Sequence, residues 1–189
     1  MSKHFDKNFE QLVFEHEKTV YRICYRFFNN PEDAMDAAQE VFIRVYKNLK
    51  TFRGDSSLKT WIYRIAMNTC INLSSRAKKK KAALTKNALL WLSSFRQETP
   101  EEILMDKALE EARAKIAAQE LSALPARYSA PIILKDLEDM TIEETAEALN
   151  LPQGTVKSRL NRGRKMLESA VQSKVKQIEN KKHLQTAGT

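Results

Sequence analysis

A chain of 189 residues with 42% apolar residues is long enough for one or two domains with hydrophobic cores. Its formal net charge is +8, and with only 4 Gly and 5 Pro its composition is typical of a helical protein with few turns. No apolar run approaches the roughly 18 residues of a membrane span, and residues 1 to 10 are too polar for a signal peptide, so we expect a soluble, cytoplasmic protein without membrane insertion.

The section from residue 5 to 76 carries helical periodicity almost throughout and predicts a first helical domain. Cys24 and Cys70 lie within its apolar pattern and are too few and too far apart for a zinc site or a CxxC redox pair. We therefore expect two buried free thiols in a reducing compartment, and neither a metal nor another cofactor.

The segment from Glu32 to Lys50 predicts an amphipathic helix with two distinct faces. The core stripe consists of apolar residues at helical spacing: Ala34, Ala38, Val41, Val45 and Leu49. The far side carries acidic, amide, aliphatic and basic residues: Asp36, Gln39, Glu40, Ile43 and Lys47. An aliphatic residue within such a polar face is compatible either with ordinary solvent exposure or with the docking of a partner.

A short polar loop and a further helix follow. The loop from residue 51 to 57, Thr-Phe-Arg-Gly-Asp-Ser-Ser, combines an aromatic ring, an arginine and small polar residues. The next helix has an inward side made of Leu58, Trp61, Ile62, Ile65, Thr69 and Leu73. Its opposite side groups Arg64, Met67, Asn68 and Ile71, with Lys59 and Tyr63 on the flank. These groups could hold an unstacked base, or Trp61 and Tyr63 could be ordinary core and interface residues.

Residues 77 to 98 open with four consecutive lysines, show no sustained periodicity and predict a flexible linker with an apolar patch around Trp91. Helices are expected to resume at Thr99, where Thr-Pro-Glu-Glu supplies an N-cap. They form a second domain from residue 99 to 175, followed by a frayed basic tail from 176 to 189. The predicted fold is therefore all-α, with two small helical domains joined by a flexible linker.

Two of the four prolines in the second domain bear on one predicted helix. Pro125 fits the start of a helix. Pro131 lies six residues into that helix and should kink it or delay its beginning, because proline lacks the backbone N–H that continues the helical hydrogen bonds.

The strongest motif is a pair of helices joined by a turn, between residues 141 and 167. Thr141 and Glu144 form a capping-box pattern that starts a short helix, and Asn-Leu-Pro at residues 150 to 152 ends it. The packing side of the second helix consists of Val156, Leu160, Gly163 and Leu167. The opposite side carries Ser158, Asn161, Arg162 and Lys165. This is the pattern of a helix-turn-helix whose second helix enters the major groove; the alternative is a surface hairpin with a solvated basic face.

The positive charge is concentrated at the same end of the chain. Between Thr155 and Lys182 there are nine Lys or Arg residues against two Glu, an excess of seven out of the net +8. Charge placed in this way favours binding to phosphates over general solubility.

Two sets of motifs resemble the extracytoplasmic function (ECF) sigma factors of bacterial RNA polymerase. Residues 33–42, 52–56 and 60–68 are similar to conserved regions 2.2 to 2.4 of that family. Residues 124–125, 136–146 and 154–164 are similar to its region 4. Both sets occur in the family's order and with its gap, which makes the combination highly specific.

The resemblance implies a promoter-specificity subunit without catalytic activity, which lacks the additional domains of housekeeping sigma factors. In region 2, a helix face would bind core RNA polymerase at the β′ coiled coil: Asp36, Gln39, Glu40 and Ile43. The loop would capture a flipped base of the −10 element, and the following helix would contact adjacent single-stranded bases. The residues implied for the −10 element are Phe52, Arg53, Asp55, Ser56, Arg64 and Asn68.

For region 4, the resemblance implies binding to the duplex −35 element and to the β flap of the polymerase. The base-reading residues would be Ser158, Asn161 and Arg162. The phosphate-binding residues would be Lys157, Arg159 and Arg164, and Lys165 belongs to the same surface. Phosphate contacts position such a helix, and base contacts specify the sequence. An anti-sigma factor is a further implied partner.

The sequence departs from the family pattern at three places. Pro131 interrupts a helix that is usually continuous. Gly163 stands where alanine is more common, at a cost in helix propensity of about 1 kcal/mol. The linker, with its apolar patch around Trp91, resembles no assigned part of the family pattern.

Two other classes of protein compete with this reading. In a free-standing helix-turn-helix regulator, the first domain would serve as a sensor or dimerisation unit, but such a protein needs neither the loop at residues 52–56 nor the Gln39–Glu40 face. An enzyme would need a catalytic constellation. The chain has no Gly-rich phosphate loop, and His4, His16 and His183 are scattered, so we expect no enzymatic activity.

Overall fold

The computed structural model describes residues 2–88 and 105–186, with the side chains of residues 9–76 and 112–178. Three helices form the first domain: α1 (Ser2–Phe28), α2 (Pro31–Asn48) and α3 (Leu58–Ala88). A short 3-10 turn, Leu49–Thr51, leads from α2 into the loop before α3. Four helices form the second domain: α4 (Met105–Ala123), α5 (Ala126–Ile132), α6 (Ile142–Leu149) and α7 (Gln153–Thr186).

The core of the first domain lies between α1, α2 and α3. The start of α2 is fixed by Asn30, whose side chain accepts a hydrogen bond from the Asp33 N–H at 3.0 Å, with Pro31 at the first helical position. Ala34, Ala38, Val41 and Val45 are buried, which confirms these members of the predicted core stripe.

Cys24 and Cys70 are both fully buried within this core, as expected, and their sulfurs lie 3.6 Å apart as free thiols. Contact with Cys24 and burial raise the pKa of the Cys70 thiol well above its usual value. Because the thiolate is the reactive form, burial makes Cys70 unreactive, and the pair belongs to the packing of α1 against α3.

The first half of the predicted linker is helical in the structure. Helix α3 continues through residues 77–88 instead of ending near Arg76. This stretch is rich in alanine and lysine and contains neither glycine nor proline, so helix propensity favours its continuation. The rest of the predicted linker, with the patch around Trp91, and the helix start at Thr99 lie outside the described residues.

The helix that contains Pro131 begins where the sequence predicts. Pro125 is the N-cap of α5, so Pro131 does not delay the helix. After Pro131 the chain widens into a π-helical turn, Ile133–Leu137, in which the Glu138 N–H donates to the Ile133 carbonyl at 3.0 Å. Pro131 has no N–H and interrupts the α-helical hydrogen bonds, so the backbone departs from the α-helix in the residues that follow. The π-helical turn then places Glu138 in a buried position.

Helices α6 and α7 form the predicted helix-turn-helix. Both bonds of the capping box are present, from the Glu144 N–H to the Thr141 hydroxyl at 3.1 Å and from the Thr141 N–H to the Glu144 carboxylate at 2.8 Å. Asn150 ends α6 in the left-handed conformation, with φ of 52°. Helix α7 continues to Thr186, so most of the predicted frayed tail is helical, because no glycine or proline interrupts residues 164–186.

The two domains pack against each other. Helix α3 contacts α6, and α1 contacts both α4 and the π-helical turn. Buried residues of both domains therefore form one continuous hydrophobic core. Within residues 2–88 and 105–186, no helix has the length and apolar character that crossing a membrane requires.

Candidate nucleic-acid interface

The outward face of α2 carries the residues expected to bind core polymerase. Asp36 and Gln39 are exposed, and the Ile43 side chain is 48% exposed. The Glu40 carboxylate is partly exposed and accepts a hydrogen bond from Arg44 Nε at 2.7 Å. The structure therefore places the four predicted residues on one accessible face.

This face is more apolar than the sequence analysis indicated. Met35 and Tyr46 are about half exposed on α2, and Met35 and Phe42 line a groove of about 340 Å³ between α1 and α2. From α1, Val13 and Tyr21 complete its apolar walls. Met35, Gln39 and Phe42 lie at helical spacing in the sequence, which was a signal for the α2 wall of this groove. The α1 wall depends on tertiary packing, so the sequence did not reveal it.

The loop after α2, the start of α3 and Glu147 of α6 line an open cavity of about 280 Å³, close to the lower end of small-ligand pockets, about 300 Å³. It brings together five of the six residues predicted for the −10 element: Phe52, Arg53, Asp55, Ser56 and Arg64. The sixth, Asn68, does not line the cavity and is exposed one turn further along α3.

Local structure explains why the loop folds around the cavity. Gly54 has a φ of 77°, a left-handed conformation that a side chain would strain. The Ser57 hydroxyl accepts a hydrogen bond from the Thr60 N–H at 3.0 Å and so fixes the beginning of α3. The loop backbone is therefore fixed at Gly54 and at Ser57, and its polar side chains line one cavity.

An aromatic pair forms one wall of this cavity. The rings of Phe52 and Trp61 lie 5.1 Å apart at an angle of 44°. Sequence analysis placed Trp61 among inward residues, whereas the structure leaves it half-buried at the cavity. Arg64 adds a positive charge to this cavity. Its buried Nε has no hydrogen-bond partner among the described residues.

The predicted outer face of α3 is partly wrong. Met67 is fully buried, although it was expected on the side away from the core, and Tyr63, expected on the flank or as an ordinary core residue, is 4% exposed. Helix α6 of the second domain packs on α3, where Arg64 Nη2 donates to the carboxylate of Glu147 on α6 at 3.1 Å. Burial next to Glu138 raises the pKa of the Tyr63 hydroxyl.

Helix α7 presents the face predicted to meet the −35 element. Val156, Leu160 and Gly163 are buried, which confirms the predicted packing side. The residues expected to face DNA are exposed, except for half-buried Arg159: Lys157, Ser158, Asn161, Arg162 and Lys165. The Ser158 hydroxyl donates to the Thr155 carbonyl at 2.9 Å, so it offers an acceptor to a ligand.

Arg164 has a protein partner that the sequence did not reveal. Its Nε and Nη2 donate to the two carboxylate oxygens of Asp136, at 2.9 and 2.5 Å. This bidentate pair raises the pKa of Arg164 and ties α7 to the π-helical turn. Arg164 is therefore less available for phosphate than the exposed Lys157.

The structure combines a helix-turn-helix that has an exposed basic face with a cavity lined by aromatic rings and an arginine. This combination is typical of a helical DNA-binding protein that acts in transcription. Residues 12–80 match the family model of sigma-70 region 2, and residues 114–167 match that of sigma-70 region 4.

Curated relatives agree with this assignment over most of the chain. The ECF RNA polymerase sigma factor SigW of Bacillus subtilis is 34% identical over 164 residues, which cover 84% of this chain and 86% of that one. The ECF RNA polymerase sigma-E factor of Escherichia coli K12 is 30% identical over 173 residues, with 88% and 87% covered. The chain therefore belongs to the ECF sigma factors of the sigma-70 family.

Solved structures share the fold. The sigma factor RpoE of Bartonella quintana, in complex with the anti-sigma factor NepR, has a TM-score of 0.65 at 20% identity, covering 88% of this chain and 98% of its own. CnrH, in complex with the cytosolic domain of CnrY, has a TM-score of 0.61 at 23% identity, covering 89% and 90%.

Membership of the family settles the class of activity. The protein is a promoter-specificity subunit of bacterial RNA polymerase, which binds core enzyme and promoter DNA, and it is not an enzyme. The alternative of a free-standing regulator is wrong, because the first domain matches sigma-70 region 2.

Proposed function

We propose that the cavity before α3 captures an unpaired base of the −10 element. The observation that carries this proposal is the convergence of Phe52, Trp61 and Arg64 on one cavity, next to the polar loop. Aromatic rings bind a base by stacking, and an arginine supplies both a cation and hydrogen-bond donors. A cavity of about 280 Å³ has room for an unpaired base.

Asn68 extends this surface along α3. It is exposed one turn beyond Arg64 and does not line the cavity, so its amide would meet a neighbouring base rather than the captured one. Arg53, Asp55 and Ser56 supply the polar rim around the captured base.

Two further surfaces complete the proposed function. The outer face of α2, with Ile43 and the adjoining groove, would bind the β′ coiled coil of core polymerase. The exposed face of α7 would enter the major groove at the −35 element, while the second domain contacts the β flap. Arg162 can approach base edges, and Lys157 can approach phosphates, since both side chains are exposed.

The location and regulation of the protein follow from this role. A subunit of bacterial RNA polymerase acts in the cytoplasm, where the chromosome lies. The apolar groove between α1 and α2 is accessible to a protein partner, and an anti-sigma factor that covers it would block core binding.

The proposed base capture is tested with holoenzyme reconstituted from core polymerase. Stacking on an aromatic ring is worth about 1 to 3 kcal/mol per base, so Phe52→Ala should reduce open complexes by about 5-fold to 150-fold. Closed complexes should persist, because duplex contacts at the −35 element remain. Permanganate reactivity of promoter thymines measures the melted state, and equal reactivity in wild type and Phe52→Ala would refute the assignment.

A matched pair of variants tests the adjoining surface. Asn68→Ala should reduce melting, whereas Asn72→Ala, an exposed asparagine one turn further along α3, should leave it nearly unchanged. Equal effects of the two substitutions would show that Asn68 has no special role.

A further inference from the structure

Two cations of the basic helix α7 are held by carboxylates from other parts of the second domain. Arg164 Nε and Nη2 donate to the two carboxylate oxygens of Asp136 on the π-helical turn, at 2.9 and 2.5 Å. Lys174 Nζ lies 2.6 Å from a carboxylate oxygen of Glu120 on α4. Lys157, by contrast, makes no hydrogen bond or ion pair within the described part of the chain. The positive charge of α7 is therefore only partly available to DNA.

Arg164 occupies a position from which a phosphate contact would be expected. It lies seven residues beyond Lys157, which corresponds to about 20° around the helix and about 10 Å along it. Both side chains therefore border the exposed face that carries Asn161 and Lys165. The Arg164 side chain is 56% exposed, so burial does not keep it from a DNA backbone. Arg164 thus differs from Lys157 in its partner and not in its side of the helix.

The pair with Asp136 offsets the charge of Arg164 and occupies part of its donor set. A guanidinium has five N–H donors in one plane, and a bidentate carboxylate takes two of them along one edge. The Asp136 side chain is 24% exposed, so it is better shielded from water than its partner. To bind a phosphate, Arg164 must either leave Asp136 or bring the phosphate close to a second anion. Both alternatives cost electrostatic free energy.

We propose that Asp136 withholds one phosphate contact from the −35 surface and so limits how tightly α7 binds DNA of any sequence. This role rests on the proposed binding of α7 to the −35 element. A phosphate contact releases counterions and adds about 0.9 to the magnitude of the slope of log K against log salt. Phosphate contacts carry no sequence information, so withholding one leaves recognition to the base contacts. Arg164, which the family resemblance places among the phosphate-binding residues, then ties α7 to the π-helical turn instead.

The test uses holoenzyme reconstituted from core polymerase and the full-length protein. Its DNA is a fluorescent duplex with the −35 element of a promoter that the holoenzyme transcribes, but without a −10 element. Asp136→Asn releases Arg164 and should steepen the slope by about 0.9, so its gain in affinity shrinks about 3.5-fold between about 50 and 200 mM salt. A duplex with a shuffled −35 element should show the same steepening. The double variant Asp136→Asn with Arg164→Gln should restore the wild-type slope.

Glu120→Gln is the matched control, because it also removes one carboxylate and releases one cation of α7. Lys174 lies 17 residues beyond Lys157, about 25 Å along the helix, so its release should leave the slope unchanged. Equal steepening in Glu120→Gln and Asp136→Asn would show that a general loss of negative charge strengthens binding. That result would overturn the proposal.

The double variant also separates withholding from the opposite role, in which Asp136 orients Arg164 toward a phosphate. If the wild-type Arg164 binds a phosphate, the double variant should lose about 0.9 from the slope, and the proposal is overturned. Circular dichroism checks folding. If Asp136→Asn alone does not fold, the double variant still decides, because it leaves no unpaired charge at this position. An unchanged slope in folded Asp136→Asn also overturns the proposal.

Failure of the proposed −35 contact gives a different result. Lys157→Ala should flatten the slope by about one unit if α7 binds the duplex. If Lys157→Ala has this effect and Asp136→Asn does not, only the role of Asp136 is wrong. If Lys157→Ala leaves the slope unchanged and the shuffled duplex binds as tightly as the −35 duplex, the placement of α7 on the −35 element is wrong.

Discussion

Individual cationic side chains on α7 differ in whether another residue of the protein already binds them. Arg162 and Lys157 are both exposed, and neither makes a hydrogen bond or ion pair within the described part of the chain. Arg164 differs from them, since it is held by both oxygens of Asp136. Charge alone therefore does not identify a DNA contact on this helix.

Arg162→Ala should cost about 1 to 3 kcal/mol of binding to the preferred −35 sequence and relax the preference at one position, because a base contact carries discrimination. Lys157→Ala should weaken binding to all sequences about equally and reduce the slope of log K against log salt by about one unit. Selection from randomised −35 DNA distinguishes them. An unchanged motif for Arg162→Ala, or a shifted one for Lys157→Ala, would contradict these roles.

Glu40 offers a residue-level test of core binding. Glu40→Lys reverses a charge on the outer face of α2 and should weaken affinity for core polymerase in a titration. It also breaks the pair with Arg44, worth about 0.3 to 0.5 kcal/mol, so a slightly lower melting temperature is expected. The double variant Glu40→Lys with Arg44→Glu restores a pair of opposite charges. If it also restored core affinity, the effect would be due to helix stability and not to docking.

At the scale of elements, the close approach of α7 to α5 explains why residue 163 is a glycine, although helix propensity disfavours glycine there. A Cβ atom at Gly163 would lie 3.0 Å from Ile132 Cδ1 and 3.2 Å from the Tyr128 carbonyl oxygen. The side-chain methyl can shift, but the backbone oxygen is fixed by α5. Gly163 therefore allows α7 to pack against α5, the helix that contains Pro131.

Gly163→Ala should lower the melting temperature. Alanine gains about 1 kcal/mol in helix propensity, whereas overpacking costs typically about 1 to 3 kcal/mol. Gly154→Ala is the matched control on the same helix, because a Cβ there meets nothing within 4 Å, and it should stabilise by about 0.4 to 1 kcal/mol. Thermal unfolding without DNA measures both. A higher melting temperature for Gly163→Ala would show that the helices can move apart at little cost.

Local signals in the sequence were sufficient for some elements and not for others. The capping box at Thr141 and the buried stripe of α7 were predicted, because both depend on residues within a few positions of each other. The continuation of α3 through residues 77–88 was missed because a lysine run was taken as a linker, although its helix propensity is high.

Long-range contacts account for what the sequence could not reveal at the sites. Five of the six residues expected at the −10 element line one cavity, because they lie close together along the chain. Glu147 also lines that cavity, but it is separated from Arg64 by 83 residues, so no local pattern connects them. The burial of Met67 was likewise missed, because it depends on the packing of α3 against other elements of the fold.

For the whole molecule, the domains are small helical units, and the proposed surfaces for polymerase, the −10 element and the −35 element are separate. A protein that reads two promoter elements through two domains should select sites by both sequences and by their spacing. Specificity of this kind exceeds what a single helix-turn-helix provides, since each element adds its own discrimination.

Transcription by core polymerase from a genomic promoter library, with and without this protein, tests this role most directly. We expect new start sites that depend on the protein and share two sequence motifs, one near −35 and one near −10, at a fixed spacing. The Phe52→Ala protein should lose these transcripts while the −35 motif is still bound. Start sites that share only the −35 motif, or no protein-dependent transcripts at all, would contradict promoter recognition by both domains.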